Sequence, residues 1–215
     1  MGGEIQRFDE CFSEVFSRQG WRIPMLPGEA EARWSSFVKD CVDGYPWDVE
    51  DYFNDLSLRS ALAKALPELE SAGHGHAREL GKSIAESDEI LKAVLVRDSF
   101  PGFSEGDWWL RRTPIYAARR FCAEFHESHG VEIASRSRYD NDVDEMSRMA
   151  TEGASASSIC FIVRSDSWYV SLRSGLFLRA CRDALSLSRD GRKTVWKWLM
   201  GEISDDELRE TFDNF

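Results

Sequence analysis

The stretch ICFIVRSDSWYVSL, Ile159 to Leu172, decides whether this chain reads as all-helical or as mixed. Ile159 to Val163 is a continuous apolar run, and Trp168, Val170 and Leu172 alternate with Tyr169 and Ser171, the period of a half-buried strand. The short connection Arg164 to Ser167 between them suits a β-hairpin. A further strand is expected over Val131 to Ser135, where Gly130 closes a helix. The expected fold is therefore α+β: a predominantly helical single domain, 1–215, of about eight helices with a small, mainly antiparallel sheet.

Outward from this hairpin the periodicity is helical. Ile5, Phe8, Phe12, Val15 and Phe16 recur every three or four residues, so a helix over Ile5 to Gln19 has one apolar face, and Gly20 ends it. A second helix is expected from Glu29 to Val42, with Trp34, Phe37, Val38 and Cys41 on one stripe. The span Asp48 to Leu66 reads as helix, in two pieces with Ser57 capping the second, and Pro67 should stop it. Ala77 to Val96 follows, before a turn-rich stretch at 97–106 that is the candidate for an internal boundary. In the second half, helices are expected at Pro114 to Ser128, Asp142 to Thr151, Leu176 to Ser186, Lys193 to Met200 and Asp205 to Asp213. The last begins Ser204-Asp205-Asp206-Glu207, the spacing at which Ser204 and Glu207 cap each other's amides.

Composition bounds the function. With 42% hydrophobic and 30% charged residues, 8 Trp and 13 Phe, 215 residues carry enough apolar surface for a real core. No run approaches the length of about 20 apolar residues that spans a bilayer, and the first residues lack a signal-peptide core, so a cytoplasmic protein is expected. The five cysteines, Cys11, Cys41, Cys122, Cys160 and Cys181, are odd in number and set among apolar neighbours, which suits buried thiols in a reducing compartment. A net charge of −11 argues against a generic nucleic-acid binder and for a basic protein partner.

Few motifs carry chemistry. Cys122, His126 and His129 lie at i, i+4 and i+7, but one helix does not readily wrap a tetrahedral ion, so no metal is expected there, nor at His74 and His76. No phosphate loop, nucleophile elbow or zinc-protease helix occurs, and no cofactor is expected. Trp108, Trp109, Arg111, Arg112, Arg119 and Arg120 form a basic, aromatic group whose tryptophans are read as core and whose arginines as partners of carboxylates. Arg179, Arg182, Arg189, Arg192, Lys193 and Lys197 are likewise read as a solvated helical face with intramolecular partners. Trp168 to Ser174 resembles the substrate-facing strand of phosphoesterases of the DHH family, whose histidine and aspartate motifs are missing here, so no catalytic role follows.

The most informative feature is Asp40 to Asp55, which holds six carboxylates and no Lys or Arg, interleaved with Tyr45, Trp47, Tyr52 and Phe53. Carboxylates steer a basic partner and large rings anchor it, the two contributions that fast, tight protein inhibition needs. The run DYFNDLSLR, Asp51 to Arg59, resembles segments of small bacterial immunity proteins, which neutralise the toxin domains of contact-dependent or secreted competition systems. The expected function is stoichiometric inhibition of a toxin domain, with Trp47, Asp48, Glu50, Asp51, Tyr52 and Asp55 as the first contact surface. Asp205, Asp206, Glu207 and Glu210 form the second. The alternative is an enzyme or nucleotide-handling protein whose site is assembled from distant residues, and a deep pocket around Arg119, Cys122 and His126 would favour it.

Overall fold

Phe8, Phe12, Val15 and Phe16 are buried at helical spacing, and the segment that carries them winds as α1, Gly2–Arg18. The computed structural model describes residues 2–97, 99, 105–165 and 174–213, and among these the fold is predominantly helical α+β. Two compact units, Met1–Ser137 and Arg138–Phe215, each close a core of their own. The 97–106 stretch falls within the first.

In the first unit α1 is followed by α2, Pro27–Val42, α3, Val49–Ser71, and α4, Gly75–Ala93. Pro27 opens α2 at a first-turn position, where its missing N–H costs nothing. The long α3 packs on α1, α2 and α4. Asp48 caps it by accepting the Asp51 amide at 3.0 Å. The helix is continuous where two pieces were expected. Ser57 does not start a second helix, because its hydroxyl donates to the Asn54 carbonyl instead. Pro67 lies inside α3 rather than ending it, since Leu62, Ala65 and Leu69 still bury the same stripe on either side of it.

Two small strand pairs complete this unit. β1, Leu95–Val96, runs antiparallel to β2, Thr113–Pro114, and β3, Tyr116–Ala117, runs parallel to β4, Ala134–Ser135. Tyr45 joins the second pair: its amide donates to the Tyr116 carbonyl at 3.2 Å and its carbonyl accepts from Ala118 at 2.9 Å. These residues displace the expected start of the next helix. Instead of Pro114, α5 begins at Arg119 and ends at His129, with Gly130 in the left-handed conformation at its C-terminus. Of the expected strand Val131 to Ser135, only Ala134–Ser135 is paired.

The second unit is built of α6, Arg138–Thr151, α7, Ala156–Ser165, α8, Ser174–Leu185, α9, Arg189–Leu199, and α10, Asp205–Asp213. The first arm of the expected hairpin is therefore a helix. Ile159, Cys160 and Val163 are buried and Ile162 is exposed, the helical rather than the alternating pattern. A short apolar run fits a buried helix turn as well as a strand, and packing against α6 and α10 selects the helix. The second arm, Trp168 to Leu172, lies outside the described residues. Strand pairs are thus present, one antiparallel and one parallel, but among the described residues only Ala134–Ser135 of the expected strands takes part in them, and ten α-helices are described where about eight were expected.

Candidate functional site

The acidic, aromatic segment Asp40 to Asp55 runs from the end of α2 through the Gly44 turn into the first turns of α3. Its aromatic residues turn inward. Tyr45 and Tyr52 are fully buried in a ring cluster with Phe37, Phe121 and Phe125, at centroid separations of 5.2 Å between the two tyrosines and 5.3 Å from Tyr45 to Phe121. The Tyr52 hydroxyl donates to the Arg112 carbonyl at 3.0 Å and the Tyr45 hydroxyl to Asp55, so both buried phenols have a partner. Burial drives both phenols well above their ordinary titration range, and the Asp55 carboxylate adds to the effect at Tyr45. This corrects the expectation that Tyr52 is a contact residue: it is a core plug, held there by apolar neighbours on three helices.

The carboxylates of this segment divide by role. Asp40 is 5% exposed and accepts from the Trp47 indole at 2.9 Å; Asp55 accepts from the Tyr45 hydroxyl at 3.1 Å. Asp48 caps α3 and stands 4.0 Å from the Arg120 guanidinium. Trp47 and Phe53 are partly buried against the core. Glu50 and Asp51 are exposed, on the first turn of α3 where negative charge also complements the helix dipole. Of the six residues expected to form the first surface, Glu50 and Asp51 have the greatest access to a macromolecule.

The C-terminal acids are similarly committed. Ser204 and Glu207 form the expected reciprocal cap, with the Ser204 amide donating to Glu207 at 2.7 Å and the Glu207 amide to Ser204 Oγ at 3.2 Å. The Ser204 amide and then the Ser204 hydroxyl, both donating to its carboxylate, pull the exposed Glu207 carboxyl below its usual range. Asp205 accepts from the Trp198 indole at 2.8 Å, and Asp206 pairs with Arg209 at 3.0 Å. Glu210 is exposed on the same short helix.

Other groups resolve into packing. Trp109 is buried with Arg59 4.5 Å over its ring, while Trp108 is flanked by Lys92 and Arg112, each at 5.0 Å. Trp109 is core, as expected, but the rings are covered by the protein's own cations, whereas the arginines of this group were expected to pair with carboxylates. Cys122 contacts the Ala117 carbonyl, and His126 and His129 are exposed at the end of α5. Among the described residues no group of three or more His, Cys, Asp or Glu is placed to hold a metal ion, and no helix is long and apolar enough to cross a membrane.

An open cavity lies elsewhere, on α9. It has a volume of about 410 Å³ and is lined by Arg189, Arg192, Lys193, Trp196, Lys197 and Glu202. Of the cations expected to find intramolecular partners, Arg182 pairs with Asp183 at 2.6 Å, Arg179 lies over the Tyr139 ring and Lys193 reaches Asp190 at 3.4 Å. Arg189, Arg192 and Lys197 have no ion-pair partner among the described residues. With Lys193 they were read as part of a solvated helical face, but the helix was expected only from Lys193; it begins at Arg189, which puts Arg189, Arg192, Lys193, Trp196 and Lys197 at i, i+3, i+4, i+7 and i+8. That this face borders a cavity was not legible in the sequence. No protein-family model, curated protein or solved structure matches this chain.

Proposed function

We propose that this protein acts by binding another protein, as an immunity-type inhibitor that docks on a basic toxin domain and occludes it. The observation that carries the reading is the exposed pair Glu50 and Asp51 at the start of α3, backed by partly buried Trp47 and Phe53 and by a net charge of −11. A rigid helix start displaying carboxylates over a packed aromatic floor supplies steering without ordering cost on binding. Because Tyr52 is in the core and Asp48 caps the helix, the docking surface is narrower than the segment that suggested it.

The test is co-expression with the product of the adjacent reading frame. A stable one-to-one complex and rescued growth are expected. Reversing Glu50 and Asp51 to Lys should slow association roughly tenfold or more at low salt and flatten its salt dependence, with the melting temperature little changed. Wild-type association kinetics in that double variant would remove the α3 surface from consideration, and absence of any complex would remove the inhibitor reading.

A further inference from the structure

The basic face of α9 lies outside the protein-binding reading and calls for its own explanation. Arg189, Arg192, Lys193, Trp196 and Lys197 fall on one face, while Gly191, Val195 and Trp198 are buried on the other. The buried face is firmly held. The Trp198 ring meets Phe161 edge-on at 5.3 Å, its indole donates to Asp205, and Gly191 packs close to Phe212. Ser188 caps the helix start by accepting the Gly191 amide at 3.1 Å. The opposite face is thereby presented rigidly to solvent.

Four cations within nine residues, with Asp190 as the sole acid among them, repel one another along the helix. In a chain with 38 acidic and 27 basic side chains, carboxylates are abundant enough to neutralise them, yet three of the four have no ion-pair partner among the described residues. Such an arrangement is stabilised by an anion. Its reach is about 12 Å along the helix.

Two further features narrow the anion. Trp196 lies among the cations and is 42% exposed, although the same helix sends Trp198 into the core, so the Trp196 ring offers a face for stacking. Glu202, an acid in a basic cavity, is brought back by the helix terminus: Gly201 adopts φ +73°, its amide donates to the Trp198 carbonyl at 3.0 Å, and the Glu202 amide donates to the Lys197 carbonyl at 2.8 Å. This reversal makes Glu202 a wall of the cavity. A carboxylate is an acceptor only, suited to hydroxyl or amino donors and not to phosphate.

We propose that this cavity binds a nucleoside polyphosphate, with the phosphates on Arg189, Arg192, Lys193 and Lys197, the base on Trp196, and Glu202 accepting from a sugar hydroxyl or an exocyclic amine. Inorganic polyphosphate would use the cations but neither Trp196 nor Glu202. A cavity of about 410 Å³ is of the size that holds one small ligand. A long polynucleotide would meet the repulsion of a net charge of −11 once it left the groove.

The experiment is calorimetric titration of the full chain at low salt with adenosine triphosphate, tripolyphosphate and a length series of oligothymidylates. Saturable one-to-one binding of adenosine triphosphate is expected. Arg192→Glu with Lys197→Glu should weaken it tenfold or more. Trp196→Ala should weaken it roughly five- to 150-fold, the range set by the loss of one stacked base. Trp196→Phe should recover most of that loss, and Trp196→Ala should leave tripolyphosphate binding unchanged. The Phe and Ala variants differ only at an exposed ring, so they decide the matter even if the double charge reversal perturbs folding. Absence of saturable binding, equal loss for nucleotide and tripolyphosphate on Trp196→Ala, or affinity that climbs steadily with oligonucleotide length would each overturn the proposal. None of these results bears on the α3 surface, whose test reads a different partner.

Discussion

Asp88 is 4% exposed and accepts from three donor atoms at once: the Trp34 indole at 3.1 Å, Arg59 Nε at 3.0 Å and Arg59 Nη2 at 2.7 Å. Arg59 in turn covers the ring of Trp109, whose indole donates to Ser60 Oγ at 2.9 Å. A buried pair of this kind adds little over an apolar pair of the same shape, because desolvation offsets the attraction. Removing one member is another matter, since the other is left charged and unpaired. Asp88→Ala is therefore expected to lower stability by about 3–5 kcal/mol in urea unfolding, whereas Glu68→Ala, which removes the exposed, solvent-screened pair with Arg18, should leave the unfolding midpoint nearly unchanged. Equal effects of the two would show that the Asp88 network is not closed to water. Neither Arg59 nor Asp88 stood out in the sequence, because the two are 29 residues apart and meet only when α3 packs on α4.

At the scale of elements, termini and turns decide where the functional segments point. Gly44 holds φ +85° in the turn between α2 and α3, and a Cβ there would sit 2.2 Å from the Arg136 carbonyl oxygen and 2.8 Å from Ser137 Cα. Gly73 has the same conformation, φ +86°, with open space around it. Gly73→Ala is expected to cost about 1–2 kcal/mol for the left-handed backbone. Gly44→Ala should cost that plus about 1–3 kcal/mol for displacing packed backbone, read as the difference between two urea or thermal unfolding curves. Equal losses would mean that the Arg136 segment yields freely. The Ser204–Glu207 cap was legible because its two residues are local, and Gly130 was legible as a helix end for the same reason. α7 was not: its apolar run satisfies strand and helix alike until neighbours are supplied.

Across the whole molecule the tyrosines report on burial. Of five in the chain, Tyr45, Tyr52 and Tyr139 are all driven upward from their ordinary value of 10.0, first by burial, with Asp55 adding at Tyr45 and the Asp183 hydrogen bond at Tyr139. Unfolding returns each phenol to water, where it ionises near the ordinary value. The folded state thus holds these protons where the unfolded state gives them up. Their contribution is complete below about pH 10 and falls away as pH rises from there toward the folded values. The unfolding midpoint in urea should therefore drop steeply above about pH 10, and tyrosinate absorbance from these three should appear only together with the loss of circular dichroism. Smooth ionisation of all tyrosines in the folded protein would contradict the buried ring cluster.

Local information was sufficient for what is local: the helical periodicity of α1, α2 and α4, the C-terminal cap, the predominantly helical α+β class, and the common face of the α9 cations all follow from residue spacing. Tertiary packing decided which faces meet. It drew the described strand pairs from Leu95, Thr113, Tyr116 and Ala134, wound Ile159 to Val163 as helix, sent Tyr45 and Tyr52 into the core, and assigned Asp40, Asp48 and Asp55 to indole, amide and phenol donors. The reason is physical: a hydropathy pattern says that a side chain must leave water, but an acid or a ring has several ways to be satisfied. Which of them is used depends on donors and surfaces that only a folded chain brings within hydrogen-bonding distance.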